Sequence, residues 1–382
     1  MPISTSALRP LLRLALVPGI GAARISALLA RFGSADRVLG AGAAQIEALP
    51  KFGPELSARI AGASGAEGEE RVRVALEAME RAGAVAISPD DAAYPDAFRH
   101  LSDPPFLLFA AGNLELLGRP AIGVVGTRSP SDYGLRATRS LAGELASAGF
   151  LVVSGMAKGI DAAAHAASLD AGAGTVGVLG NGIDVVYPPE NRRLYARVRQ
   201  EGLLVTELPP GAEPLSGNFP RRNRLIAALS EGVLVVEMGE KSGALHTVTC
   251  ALELGREVFA VPGQIGAATS AGTNQLLKEG ARLVTSAADV LEELRGVGST
   301  VVPRPASSPK PGEELVAAPK PVPADLAPEE ARVLSALASE PRHVDDLAAR
   351  ADLAPSNVLA ALLGLELRGL VESLPGKHFR RT

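Results

Sequence analysis

Six short apolar runs, each ending in small or polar residues before a helical pattern, constrain this chain more than any other feature. They read VVG, LVVSG, VGVLG, LLVTE, VLVVE and VFAVPG, and all lie between residues 121 and 263. Runs that are apolar almost throughout fit strands covered on both faces, as in a parallel sheet clothed by helices. The reading places strands at Ala121–Gly126, Phe150–Ser154, Thr175–Leu179, Leu203–Glu207, Gly232–Met238, Glu257–Val261 and Arg282–Thr285. Alternating strand and helix implies right-handed crossovers and a doubly wound α/β sheet of Rossmann-like type. In such sheets a ligand sits outside the carboxyl ends of the strands.

Those ends carry a recurring chemistry. The first strand is followed by Gly126 and Arg128, and the second by Ser154, Gly155 and Lys158. The third leads into Gly180, Gly182, Arg192 and Arg193, and the fourth into a long loop ending in Phe219, Arg221, Arg222, Asn223 and Arg224. The fifth is followed by Lys241, Ser242 and Gly243. Glycine lets the backbone come close to an anion, helix starts present free N–H groups, and arginine binds phosphate with two parallel donors. One sheet edge therefore reads as a phosphate-gripping rim. The competing reading is of turn glycines beside solvated arginines.

Global charge does not supply the grip, because the formal net charge is −4. Local clustering has to do so. The dinucleotide fingerprint is missing, since the first loop reads GVVGTR, and no G-x-x-x-x-G-K-[ST] occurs. Phe219 could stack on an unpaired base or anchor its loop, and the residues leave both open. No histidine pair has metal-ligand spacing, and no cofactor is called for. Asp161 and His165 share a helix face as a catalytic pair or, better, a buried structural one. Glu207 and Glu237 end strands, fit either to orient arginine and lysine or to do acid/base work. Cys250 lies in an apolar helix and reads as core; as the single cysteine it fits a reducing cytoplasm. No apolar run is long enough for a bilayer, and no signal peptide is read.

Four parts are expected. Residues 1–65 form a helical domain, in which LVPGIGAARI and LPKFGPELSARI resemble a helix–hairpin–helix pair. Residues 66–296 hold the α/β domain, entered through a helix near Glu69–Ala82 and strands at Ala84–Ser88 and Phe106–Ala111. Residues 297–323, rich in Pro, Ala and Ser, read as a flexible linker. Residues 324–382 read as helix-turn-helix plus wing, with Ser356 capping the second helix and a turn at Pro375–Gly376. That second helix is nearly free of basic residues, which favours contact with protein over reading of duplex sequence.

Taken together, GTRSPSDYG, SGMAKGIDAAAHAAS, GNGIDVVYPPENRRLY, TELPPGAEPLSGNFPRRNRLIAALS, VVEMGEKSGALHTVTCALELGREVFAVPG and GTNQLLKEGA closely resemble the DNA-processing protein A (DprA/Smf) family. The resemblance covers roughly residues 90–285 in order. It implies a non-enzymatic, cytoplasmic protein that binds single-stranded DNA in natural transformation, protects it and loads RecA recombinase onto it. It also implies a homodimer formed near Leu276–Val290. Carried over by position, the resemblance implies DNA contact by Arg128, Ser154, Gly155, Gly180, Gly182, Phe219, Arg222, Asn223, Arg224, Ser242 and Gly243, and the strand-end loops add Gly126, Lys158 and Arg221 to the expected DNA-binding set. Asn181, Pro189 and Ser216 depart from the family pattern, which implies either weaker binding or a shift of it onto Arg192 and Arg221. Two other readings compete: a nucleoside monophosphate phosphoribohydrolase, against which VPGQIGAATSAG is only a partial likeness of the required loop, and a transcription regulator acting through the wing.

Overall fold

In the computed structural model the chain divides into two compact units, Met1–Ala306 and Ser307–Thr382. The described residues are 5–295, 327–337, 342–351, 353–368, 370–374 and 378–381. The expected linker at 297–323 and the turn at Pro375–Gly376 lie outside them. No helix among the described residues is long and apolar enough to cross a membrane.

The first unit opens with six helices: α1 (Thr5–Ala15), α2 (Ala22–Phe32), α3 (Ala35–Leu39), α4 (Ala43–Glu47), α5 (Pro54–Ala61) and α6 (Ala66–Ala82). The two hairpin-like sequences turn alike. Gly19 takes φ +83° before α2, and Lys51 takes φ 68° at the equivalent place before α5. The second copy thus keeps the left-handed turn without the glycine that makes it cheap. Arg59 from α5 donates to the Pro18 carbonyl at 2.8 Å and joins the two hairpins.

Then come β1 (Val85–Ile87), α7 (Asp96–Arg99), β2 (Leu108–Gly112), β3 (Ala121–Val125), α8 (Asp132–Ser147), β4 (Leu151–Ser154), α9 (Ile160–Asp170) and β5 (Thr175–Val178). They are followed by α10 (Arg192–Glu201), β6 (Leu203–Thr206), α11 (Asn218–Leu229), β7 (Gly232–Val235), α12 (Ala244–Glu253), β8 (Glu257–Ala260), α13 (Ala271–Lys278), β9 (Arg282–Leu283) and α14 (Ala287–Arg295). One nine-stranded sheet has the order β1-β2-β6-β5-β4-β3-β7-β8-β9. All seven expected strands lie in it, and β6 through β9 pair in parallel. The two upstream strands join the same sheet as an antiparallel edge, β2 on β6 and β1 on β2.

Alternation along β3 shows the double winding. Ile122 and Val124 enter a core with α8, α9 and α14, while Ala121 and Val125 enter the opposite core with α11 and α12. The expected boundary at residue 65 is not a structural one. Leu8 and Leu12 of α1 share a core cluster with Val72 and Met79 of α6 and with Phe109 of β2. The first helix is thus part of the sheet domain's packing. Leu14 of the same helix enters the hairpins' own core, so α1 joins the two.

The second unit contains α15 (Pro328–Ala336), β10 (Arg342–His343), α16 (Val344–Ala351), α17 (Pro355–Leu367), β11 (Val371–Leu374) and β12 (His378–Arg381). The order β10-β12-β11 closes the wing. Ser356 is not the cap of α17. Ala354 is, with extended backbone, and Pro355 takes the first helical position, where its missing N–H is not needed.

Candidate nucleic-acid interface

Strand order reverses at β3, from which β4, β5 and β6 run one way and β7, β8 and β9 the other. At such a switch point neighbouring loops diverge and leave a crevice. A cleft of about 760 Å³ opens there, lined by Gly126, Arg128, Phe219, Arg222, Asn223, Lys241, Ser242 and Gly243, with Tyr187, Ser216 and His246. A smaller hollow of about 60 Å³ adjoins it, bounded by Gly155, Lys158, Asn181 and Pro188 as well as Arg128, Phe219 and Arg222. Loops after five successive parallel strands thus converge on one place.

Helix starts frame it. Gly159, at φ 78°, precedes α9, and a side chain there would meet the Thr127 carbonyl and Pro130. Gly243 opens α12, where the Ser242 hydroxyl accepts from the Ala244 N–H at 3.3 Å. Both starts point partial positive charge toward the cleft. Arg128 and Lys241 are exposed and have no acidic partner among the described residues. The Arg128 guanidinium lies 5.7 Å from the centre of the Phe219 ring. The Phe219 ring in turn stacks on Tyr187, with centroids 5.5 Å apart and planes 26° from parallel. Gly180 is the floor beneath it, since a Cβ there would come within 2.7 Å of the ring.

The stretch FPRRNR is not a loop, as the sequence reading had it. It forms the first turns of α11, starting at Asn218. Pro220 is compatible with that position because early helical N–H groups have no intrahelical partner. Helical geometry points its arginines in different directions. Arg222 is buried, donates to the Gly155 carbonyl at 2.8 Å, and forms the cleft floor. Its pKa is lowered to about 10, by burial above all and by nearby Arg128, with Asp161 and Tyr195 working against both. Arg224 turns the other way and pairs with buried Glu207, which Arg221 also approaches at 3.5 Å. Arg221 meets Asp103 at 3.6 Å on its outer side. Burial raises the Glu207 pKa, opposed by both arginines. Asn223 stays at the cleft, its amide donating to the Gly243 carbonyl at 3.4 Å.

Five members of the expected DNA-binding set therefore do not line the cleft. Ser154 is buried and donates to the Val124 carbonyl at 2.6 Å. Gly180 and Gly182 serve packing: a Cβ on Gly182 would lie 2.9 Å from the Ala212 nitrogen. Arg221 and Arg224 belong to the Glu207 network. Asp161 and His165, expected as a bonded buried pair, are buried but not bonded to each other. Asp161 accepts from Gly155 N–H at 3.1 Å, and His165 Nδ1 meets the Thr175 hydroxyl at 2.8 Å. Burial drives the His165 pKa down to about 3, so the ring is neutral. Cys250 is only half-buried. Tyr187 was missed by sequence reading; an aromatic beside the paired prolines of the third loop was the available signal.

Residues 85–295 match the family described as DNA recombination-mediator protein A. The chain belongs to that family. Residues 317–377 match the DprA winged helix domain, in keeping with α15 through β12. Among relatives of this DprA/Smf family, the chain is 40% identical to protein Smf of Escherichia coli K12 over 296 residues, covering 77% of this chain and 76% of that one. It is 37% identical to protein Smf of a Synechocystis strain over 331 residues, covering 80% and 82%. The crystal structure of DNA processing protein A from Streptococcus pneumoniae superposes with a TM-score of 0.65 at 36% identity, covering 77% of this chain and 99% of that one. DNA processing protein A from Helicobacter pylori gives 0.50 at 32% identity, covering 55% and 95%.

Proposed function

We propose that the chain binds single-stranded DNA in the switch-point cleft, as a DNA-processing protein of natural transformation and not as an enzyme. The observation that carries this reading is the alignment of two unpaired cations, Arg128 and Lys241, with the Tyr187–Phe219 stack and two helix starts around one open cleft. Cations and helix starts suit phosphates, while the aromatic pair suits a base with no partner strand. The Helicobacter pylori relative is described as having a single-stranded DNA binding mode, which supports the same ligand class here. In this reading the bound strand is protected and handed to a RecA-class recombinase in the cytoplasm.

The chain is also proposed to act as a homodimer through the late part of the sheet domain. The contact cannot use the whole of Leu276–Val290, because Leu276, Val284, Ala287 and Val290 fill the protomer's own core. Leu283, about half exposed, lies within that stretch, and Ile265, Leu245 and Leu252 are further exposed apolar side chains in the late part of the domain.

A gel shift comparing single-stranded and duplex oligonucleotides at two salt concentrations tests the proposal. Tighter binding of the single strand, falling as salt rises, is expected because each neutralised phosphate releases counterions. Preference for duplex, or affinity indifferent to salt, would count against it.

Lys158 gives a second expected result. It borders the small hollow but is paired with Glu190, and both side chains are about half exposed. An arriving phosphate has to compete with that carboxylate. Glu190→Gln is expected to tighten single-strand binding roughly two- to fivefold, the scale of a surface ion pair. The salt dependence should also steepen, by about 0.7 in log–log slope for one more phosphate contact. Unchanged affinity and slope would show that Lys158 takes no phosphate.

A further inference from the structure

The segment that carries Arg128 is fastened at both ends to a single residue. Glu237 follows β7 and is only 2% exposed. Its backbone carbonyl accepts from the Thr127 N–H at 2.8 Å. Its carboxylate accepts from the Ser131 N–H at 2.8 Å and from the Ser131 hydroxyl at 2.6 Å. Arg128 lies between these two anchor points. A third donor, the Thr269 hydroxyl, reaches the carboxylate at 3.3 Å from the loop after β8.

The fit around the carboxylate is tight. A Cβ on Gly134 would lie 2.1 Å from Glu237 Oε2, so α8 sits directly against it. A Cβ on Gly126 would lie 2.8 Å from the Glu237 carbonyl oxygen. From the other side, Gly159 leaves no room for a side chain against Thr127 and Arg128. No lysine or arginine pairs with Glu237 among the described residues, so hydrogen-bond donors alone hold its charge. A buried carboxylate kept without a cation is costly unless those donors are aimed at it. Here two of them belong to the residue that ends the Arg128 segment and caps α8.

We infer that Glu237 is a positioning residue for DNA binding: it fixes the Thr127–Ser131 segment so that Arg128 stands over Phe219 before the strand arrives. The inference rests on the single-strand reading of the cleft. A segment already ordered loses less conformational freedom when it grips a phosphate. Glutamine at this position keeps the shape but not the charge, so the bonds that hold Ser131 fall from charge-assisted to neutral strength.

The test is a double-mutant cycle on the full chain, read by polarisation of a labelled oligothymidylate, with thermal unfolding of each variant alongside. Glu237→Gln is expected to weaken binding roughly five- to tenfold, the scale of coupling between groups in contact. In an Arg128→Ala background the same change should alter binding less than about twofold, since the residue it positions is already gone. A helix cap with only a structural role would weaken both backgrounds equally, and that result overturns the inference. Ser131→Ala, which removes the hydroxyl's bond to Glu237 and its cap on the Gly134 N–H but keeps the backbone bond, is the second variant should Glu237→Gln fail to fold. It should show a smaller loss with the same dependence on Arg128, and additivity there overturns the inference too. If the parent protein does not bind the oligonucleotide at all, the proposed function fails, which is a different outcome from additivity.

Discussion

Replacing Glu207 with alanine is expected to destabilise the sheet domain by about 3–5 kcal/mol, the range for removing one partner of a buried ion pair. Glu207 is 6% exposed at its side chain and Arg224 is 14% exposed. Arg224 Nη1 already lacks a partner in the buried interior. Without the carboxylate, the guanidinium would remain buried with no anion beside it. Arg221 has a second acid, Asp103, and a more exposed position, so it can turn to solvent. The loss thus falls on Arg224. Urea unfolding followed by circular dichroism measures it, and Glu207→Gln should lose less because its carbonyl still accepts one bond. A loss below about 1 kcal/mol for Glu207→Ala, the level of a surface pair, would show that the network is not holding α11.

Arg128→Ala is expected to weaken single-strand binding on the order of 10- to 100-fold, as for a charge-assisted contact worth about 1.5–3 kcal/mol. The protein should stay as stable as the parent, because the Arg128 side chain is exposed and its described ring contact is a loose one over the face of Phe219. The log–log salt slope should become shallower by about 0.7 per phosphate lost. Arg222→Ala also touches the cleft, but it would remove a buried donor to Gly155 and so lose stability as well. Comparing the two variants separates contact from support. An Arg128→Ala protein that binds like its parent would falsify the cleft as the DNA site.

Much of the fold was legible because both-face burial leaves a plain mark. Runs such as LVVSG and VLVVE have no polar alternation, and every one became a strand of the parallel sheet. The antiparallel edge was not legible as pairing. Nothing local in residues 85–112 says that they lie beside β6, almost a hundred residues on. The start of α11 was missed for a physical reason: its cap is Gly217, with no side-chain bond, and Pro220 follows soon after. Reading that stretch as a loop placed three arginines on one rim. As a helix it sends Arg222 down, Arg224 inward and Asn223 to the cleft. In the same way, four-residue spacing correctly put Asp161 and His165 on one face of α9, but their partners came from the ends of β4 and β5. Spacing on one element cannot report what another element offers.

The placement of α1 has a consequence for the chain as it is made. Leu8 and Leu12 share a core cluster with residues of α6 and β2, and Arg9 and Arg13 both pair with Glu69. During synthesis the first helix emerges long before Glu69, and longer still before Phe109. The part of its apolar stripe at Leu8 and Leu12 therefore lacks its β2 partner until about a hundred residues later, at elongation rates of roughly 5–20 residues per second. An isolated helix of this length has little stability of its own. The core that α1 shares with β2 is thus closed only once β2 has been made, seconds after α1 itself.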